Sequence, residues 1–291
     1  MYNSQKGGVN NMLKIGCHLS NAKGYVNMMN QALDIGANTF QFFTRNPRGS
    51  RVKNIDHEDI GNFNNMMKEN NFNKIVGHAP YTLNPASPDN RVLNFAYLTV
   101  EEDLSLMELM PGNFYNMHPG SHVKSGVEEG IKRVIDVLNQ NMSNTMTTTI
   151  LLETMSGKGS EIGRTFEELL MIIDGLNHPD KVGICLDTCH VYDGGYDIKE
   201  DLDGVLYELD KVIGIERLHA IHINDTKNPF ASHKDRHEKI GDGYLGEEFF
   251  FKLINHKDLK DKIFILETPN EIEGYAAEIK LLKYNYGNID F

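Results

Sequence analysis

No stretch of this sequence carries the roughly 18 consecutive apolar residues that a membrane-spanning helix needs. The opening segment, residues 1–11, is polar and has no apolar centre of the kind a signal peptide requires. It reads as a frayed extension, or as sequence ahead of a second start at Met12, and a cytoplasmic protein is expected. Cysteine is scarce. Cys17, Cys185 and Cys189 are odd in number and lie inside apolar runs, which suits reduced, buried thiols rather than a disulfide framework. Basic side chains are the minority, 29 Lys and Arg against 41 Asp and Glu, for a net charge of −12. That sign excludes gripping a polyanion through the overall surface charge, so any nucleic-acid function needs a local source of positive charge. No low-complexity linker or Pro-rich hinge divides the chain.

What is present is an ordinary globular composition, 40% hydrophobic and 24% charged, over 291 residues. Length alone allows two domains or one large α/β barrel. The order of elements decides between them. Eight short apolar runs end in polar or Gly punctuation: LKIGCH at 13–18, TFQFFT at 39–44, KIVGH at 74–78, NFYNMH at 113–118, TILLE at 149–153, VGICLD at 182–187, LHAIHIN at 218–224 and KIFILET at 262–268. Amphipathic stretches of helical period separate them, GYVNMMNQALDIGA and FEELLMIIDGL among them. Near-continuous apolar strands alternating with helices predict a parallel sheet covered on its outer face, and eight units predict a single (β/α)8 barrel over residues 12–291. An open doubly wound sheet is the alternative, but HLSNAKG follows the first strand where that fold carries GxGxxG.

The His, Asp and Glu residues fall at the strand ends. His78, His118, Glu153, Asp187, His222 and Glu267 close the third to eighth strands, and the C-terminal ends of barrel strands converge on one mouth. A single strand-end His is usually a satisfied hydrogen-bonding residue. Six such groups on one rim would repel or stay poorly solvated without cations among them. His190, three residues after Asp187, and the pair Asp235 and His237 in the loop after strand seven add three more donors. Alternate residues of an extended loop point the same way, so Asp235 and His237 are expected to share an ion with His190. Nitrogen and oxygen donors without thiolate suit zinc, with manganese as a substitute. Nine donors exceed what one ion takes and predict a cluster of two or three metals. Three divalent ions against the four carboxylates would leave the mouth positive inside a negative shell, and able to hold a phosphate. His18 also faces the mouth and is expected to orient a ligand or substrate group. His122, His219 and His233 receive no role.

The motifs GCHLS (16–20), FFTRNPR (42–48), GHAPYTLN (77–84), HPGSH (118–122), LLETMSGKGSEIG (151–163), CLDTCHVYDGGYD (185–197), HINDTK (222–227), DRHEKIGDGYLG (235–246) and LETP (266–269) run in order along the chain. With them the sequence resembles the endonuclease IV family of apurinic/apyrimidinic endonucleases, CLDTCH and DRHEKIG being the most specific segments. The resemblance implies a trinuclear zinc centre. His78 and His118 hold one ion, Glu153 bridges it to a second completed by Asp187, His222 and Glu267, and His190, Asp235 and His237 hold the third. It implies a zinc-dependent deoxyribonuclease IV of DNA base-excision repair. Its substrate is duplex DNA at an abasic site, cleaved on the 5′ side to leave a 3′-hydroxyl and a 5′-deoxyribose phosphate. Glu153 and Glu267 are the implied catalytic carboxylates, and Tyr81 and Arg48 the implied DNA contacts. Ala231, Tyr244 and Lys124 depart from the family pattern, which bears on the loops after strands four and seven. A metal-dependent sugar isomerase on the same barrel is the nearest rival, and it would not require His190, Asp235 and His237. No long apolar stripe stands out, so a monomer is expected.

Overall fold

The computed structural model describes residues 12–49 and 55–287. The expected N-terminal extension, residues 1–11, lies outside the described residues. Eight parallel strands close into a barrel: β1 (Ile15–Leu19), β2 (Gln41–Phe43), β3 (Val76–His78), β4 (Phe114–Met117), β5 (Thr149–Glu153), β6 (Val182–Asp187), β7 (Leu218–His222) and, after a short antiparallel ribbon of β8 (Asp225–Thr226) and β9 (His237–Glu238), β10 (Ile263–Leu266). Pairing of β1 with β10 closes the ring. All eight predicted strands form, β5 and β6 with the expected bounds and the others within two residues of theirs.

Helices cover the outside: α1 (Tyr25–Asp34), α2 (His57–Glu69), α3 (Asn90–Glu108), α4 (Val127–Asn141), α5 (Phe166–Asp174), α6 (Thr188–Gly194), α7 (Leu202–Val212), α8 (Glu247–Asn255) and α9 (Ile272–Asn285). In α4, Ile131, Val134, Val137 and Leu138 recur at helical spacing and are buried, so one stripe faces the sheet while Glu128 and Glu129 complement the N-terminal dipole. Carboxylates start several helices. Asp56 accepts from the Glu58 and Asp59 N–H groups, and Asp89 from those of Arg91 and Val92. Among the described residues no helix is long and apolar enough to cross a membrane.

The strand period of two sorts side chains into an outer set, packed against the helices, and an inner set that fills the barrel. Val76, Phe114, Leu151, Cys185, Ala220, Ile263 and Ile265 form the inner apolar cluster. Two positions further along the chain on β3, β5, β6 and β7, and just past β10, come His78, Glu153, Asp187, His222 and Glu267. These groups therefore form the layer directly above the apolar plug, at the C-terminal mouth. Gly16 lies where the Thr39 carbonyl approaches β1 closer than any Cβ tolerates, which fixes glycine there. All three cysteines are free and buried.

Candidate metal centre

Glu153 is at the middle of the mouth, 1% exposed. Its Oε2 lies 3.3 Å from Nε2 of both His78 and His118, and its Oε1 lies 3.2 Å from His190 Nδ1 and 3.3 Å from His222 Nδ1. His222 Nδ1 also faces Glu267 Oε2 at 3.3 Å and Asp187 Oδ2 at 3.8 Å. On the far side, Asp235 Oδ1 lies 3.2 Å from His190 Nε2 and 3.4 Å from His237 Nε2. The donor atoms form three compact groups, each within 4.8 Å: His78, His118 and Glu153; Glu153, Asp187, His222 and Glu267; His190, Asp235 and His237. All nine sequence-derived donors thus lie together at the C-terminal mouth. Cys189 lies close to Asp187 and His237, but burial pushes its thiol far up, so it stays protonated and a poor ligand.

The outer nitrogen of most rings is anchored on an oxygen. His78 Nδ1 donates to the Ala79 carbonyl at 2.6 Å, His190 Nδ1 to the Thr154 carbonyl at 2.8 Å, and His237 Nδ1 to the Glu267 carbonyl at 3.3 Å. His222 Nε2 donates to Gln41 Oε1 at 2.8 Å. A carbonyl oxygen offers no proton, so the outer nitrogen of each ring carries a hydrogen and the inner nitrogen points at a carboxylate. Lone pair facing lone pair in a buried site is unfavourable unless a proton or a cation lies between. Among the described residues His237 Nε2 is buried with no hydrogen-bond partner, the orphan expected of a ligand atom. Burial pulls the His118 and His190 rings down, yet Glu153 beside the first and Asp187 and Asp235 beside the second outweigh it and hold both above the usual histidine range. Burial likewise pushes Asp235 up, and His190, His237 and His118 overcome that to bring it to about 2. The field is one that retains positive charge.

Local backbone explains how these groups are presented. Asp187 is the last residue of β6 and the N-cap of α6, its Oδ1 accepting from the His190 N–H at 2.8 Å while Oδ2 faces the centre. One residue therefore sets the direction of both itself and His190. The expectation that Asp235 and His237 share a side because their loop is extended is corrected. Asp235 is left-handed, with φ of +60°, and His237 begins β9. The two converge on His190 through that turn, not through strand alternation.

Four residues that sequence reading missed hold the donors in place. Gln41 of β2 bridges His222 and Glu267, giving its Nε2 to Glu267 Oε1 at 2.5 Å. Asn116 donates to Glu153 Oε2 at 2.5 Å. Asn224 donates to Asp187 Oδ2 at 2.8 Å and accepts from the Glu267 N–H at 2.9 Å. Asp193, fully buried, accepts from Thr226 Oγ1, Asn228 Nδ2 and the Asp235 N–H. Amides carry no signal of their own in a sequence rich in asparagine. Asp193 was visible in CLDTCHVYDGG but has no position at a strand end.

Beside the donors opens a cavity of about 940 Å3, lined by His18, Phe43, Asn46, Tyr81, Glu267 and Tyr275 among others. His18 Nδ1 lies 3.1 Å from Gln41 Nε2 and 3.8 Å from Glu267 Oε1, consistent with an orienting place beside the centre. Tyr81 is 63% exposed, its ring 5.0 Å from that of Phe43 at the rim. Arg48 is exposed and lines a neighbouring groove of about 410 Å3 with Arg91, Thr82 and Phe95. The base of that segment is rigid. Buried Arg45 donates to Asp103 at 2.6 and 2.9 Å, and Asp103 also accepts from Thr44 and Tyr115. Of the unassigned histidines, His122 accepts from the Gly126 N–H and His233 donates to the Ser156 carbonyl.

Two of the three departures from the family pattern fall on left-handed backbone, Lys124 at φ of +66° and Ala231 at +57°. Glycine takes that conformation without the Cβ penalty. Tyr244 is half exposed, and its carbonyl accepts from Lys199 Nζ at 2.6 Å. Replacing Ala231 with glycine is expected to stabilise the protein by about 0.5–1 kcal/mol, the left-handed strain relieved exceeding the entropy glycine adds to the unfolded chain, or roughly 1–4 °C in melting temperature. A fall in melting temperature on calorimetry would contradict the strain argument.

The chain is a closed parallel barrel with clustered donors at its C-terminal mouth, and the family model of the xylose isomerase-like TIM barrels matches residues 29–285. Within that class the chain belongs to the endonuclease IV family. It is 58% identical over 275 residues to a probable endonuclease 4 from Alkaliphilus oremlandii (strain OhILAs), covering 94% of this chain and 98% of that protein. It is 59% identical to the probable endonuclease 4 from Clostridium beijerinckii over 95% of this chain and all of that protein. The crystal structure of endonuclease IV from Thermus thermophilus superposes with a TM-score of 0.84 at 29% identity, covering 94% and 98% of the two chains. A D-tagatose 3-epimerase-like protein shares the fold, with a TM-score of 0.71 at 20% identity.

Proposed function

We propose that the protein is a DNA-repair endonuclease that cuts duplex DNA on the 5′ side of an abasic site, leaving a 3′-hydroxyl and a 5′-deoxyribose phosphate. It acts as a cytoplasmic monomer carrying three zinc ions, with manganese as a substitute. Family membership supports the nuclease reading. The observation that carries it furthest is one buried carboxylate, Glu153, contacted by four imidazoles and shared by two donor groups, with a third group, His190, Asp235 and His237, beside them. A one- or two-metal sugar isomerase has no use for the set made by His190, Asp235 and His237.

The donor chemistry fits zinc: imidazole nitrogens turned inward, carboxylates opposite them and an orphaned His237 Nε2. His78 and His118 with Glu153 would hold one ion; Glu153, Asp187, His222 and Glu267 the second; His190, Asp235 and His237 the third. When bound, such ions supply positive charge for the phosphate and make water a stronger nucleophile at neutral pH. The chain's own part is positional and acid–base. Gln41, Asn116 and Asn224 fix the carboxylates by hydrogen bonds, so their directions are set before substrate arrives. Glu267, at the boundary of the donors and the large cavity, is the carboxylate available to take a proton from the attacking water. Tyr81 and Arg48 stand on the rim where the sugar–phosphate backbone would pass, and an abasic site is cheaper to distort than intact duplex.

A duplex with one tetrahydrofuran abasic analogue tests this directly, because that analogue cannot be cleaved by β-elimination. Incision 5′ to it, with about three zinc per chain by mass spectrometry, is the expected result. Failure to incise by fully metallated protein, or one or two exchangeable manganese ions with sugar epimerase activity, would overturn the proposal.

A further inference from the structure

The opposite end of the barrel carries a second polar site that the nuclease reading does not use. A cavity of about 240 Å3 is lined by Lys14, Lys74, His219, Asp261 and Lys262 over a floor of Phe114 and Ile263. Each of these lies at a strand entrance: Lys14 before β1, Lys74 before β3, Phe114 first in β4, His219 second in β7, Lys262 before β10. The same dipeptide, Lys-Ile, leads into three strands, at 14–15, 74–75 and 262–263. Phe114 and Ile263 belong to the inner apolar cluster, so the cavity lies beneath the barrel core, on the far side from Glu153.

Its charges are underused. Lys262 is 6% exposed, and its ammonium has one hydrogen bond among the described residues, to Asp261 Oδ2 at 3.3 Å. Buried lysine is rare without full pairing, since an ammonium has three protons to place. Lys74 makes no hydrogen bond or ion pair among the described residues and hangs over the Phe114 ring, 4.7 Å from its centroid. Lys14 gives its ammonium to the Asp261 carbonyl at 2.8 Å. Three ammonium groups face one carboxylate. The register between β6 and β7 shifts so that Ile184 pairs with Leu218 and Cys185 with Ala220, leaving His219 as the extra residue of a bulge. The bulge lays its ring on Phe114, 5.3 Å between centroids and 17° from parallel. Burial, then Lys262 and Lys74, bring its pKa down to about 4, so the ring is neutral at physiological pH and free to donate one N–H.

We propose that this basal cavity binds a small phosphoryl anion, held by Lys14, Lys74 and Lys262 with His219 as a neutral hydrogen-bond partner. A multiply charged oxyanion matches the surplus of positive charge and supplies the acceptors that Lys74 and Lys262 lack. The volume, about eight waters at roughly 30 Å3 each, accommodates two phosphoryl groups and not a duplex backbone. Aromatic stacking of a base is unavailable, because Lys74 and His219 already occupy Phe114.

Equilibrium dialysis of metal-loaded, full-length protein against inorganic pyrophosphate tests it, with Lys74→Gln/Lys262→Gln as the comparison. Wild type should bind one more equivalent than the double variant, whose affinity at this site falls at least about tenfold, as expected for losing charge-assisted hydrogen bonds. Lys74→Gln alone changes an exposed side chain, keeps the fold and should weaken that equivalent several-fold. Incision of abasic duplex should stay unchanged in both, which separates this site from the mouth. Absence of saturable binding in wild type, or equal binding by all three proteins, would overturn the proposal whatever the incision assay gives.

Discussion

Glu267→Gln is expected to lower the single-turnover rate of incision at an abasic analogue by about 10²- to 10⁴-fold, the usual contribution of a positioned acid or base, while duplex binding stays measurable. Glutamine keeps the shape and one acceptor oxygen of Glu267. It cannot take a proton, and it gives His222 Nδ1, 3.3 Å away, either a neutral oxygen or an opposing N–H. Gln41 Nε2, which now donates to Glu267 Oε1, would meet the same ambiguity. The loss should appear in the chemical step and not in the dissociation constant for DNA, because Tyr81 and Arg48 are untouched. Gel-shift titration beside rapid-quench incision separates the two. Full incision by the variant would remove Glu267 from the chemistry.

The barrel was legible because a closed parallel sheet writes itself as eight apolar runs, each ended by a group that apolar burial cannot explain. The period of two then carries the argument. Val76 precedes His78, Leu151 precedes Glu153 and Ile265 precedes Glu267 by two residues, and in each pair the first is inner core and the second faces the mouth. What was not legible is what orients these groups. Gln41 satisfies the same parity, yet an amide in TFQFFT reads as one polar residue on a strand until His222 and Glu267 are seen around it. The β8–β9 ribbon is two residues a side, too short for any alternation, and is held from elsewhere: Asp225 accepts from the N–H groups of Gly241, Gly243, Leu245 and Gly246. Asp235 illustrates the limit of local rules. Its position near His190 was anticipated, but the route is a left-handed turn that no spacing rule encodes.

That turn makes Asp193 the residue whose replacement should separate one ion from the other two. Its two oxygens hold the loop at three points, Thr226 Oγ1 at 2.9 Å, Asn228 Nδ2 at 3.0 Å and the Asp235 N–H at 2.9 Å. Asp193→Ala removes both acceptor oxygens, so the buried Thr226 hydroxyl, the Asn228 amide and the Asp235 N–H all lose their partner, at a cost of about 1–3 kcal/mol for each donor left unsatisfied. A left-handed non-glycine residue persists only where its surroundings over-determine it, and the Asp235 N–H bond is part of that restraint. With it loosened, Asp235 drifts from His190 and His237. His78, His118, Glu153, Asp187, His222 and Glu267 make no hydrogen bond to Asp193. Metal analysis after dialysis should therefore give about two zinc per chain in place of three, with incision reduced and the melting temperature lower by several degrees. A purely structural role would lower the melting temperature and leave stoichiometry at three. Retention of all three ions with full incision would show that the loop holds Asp235 without Asp193.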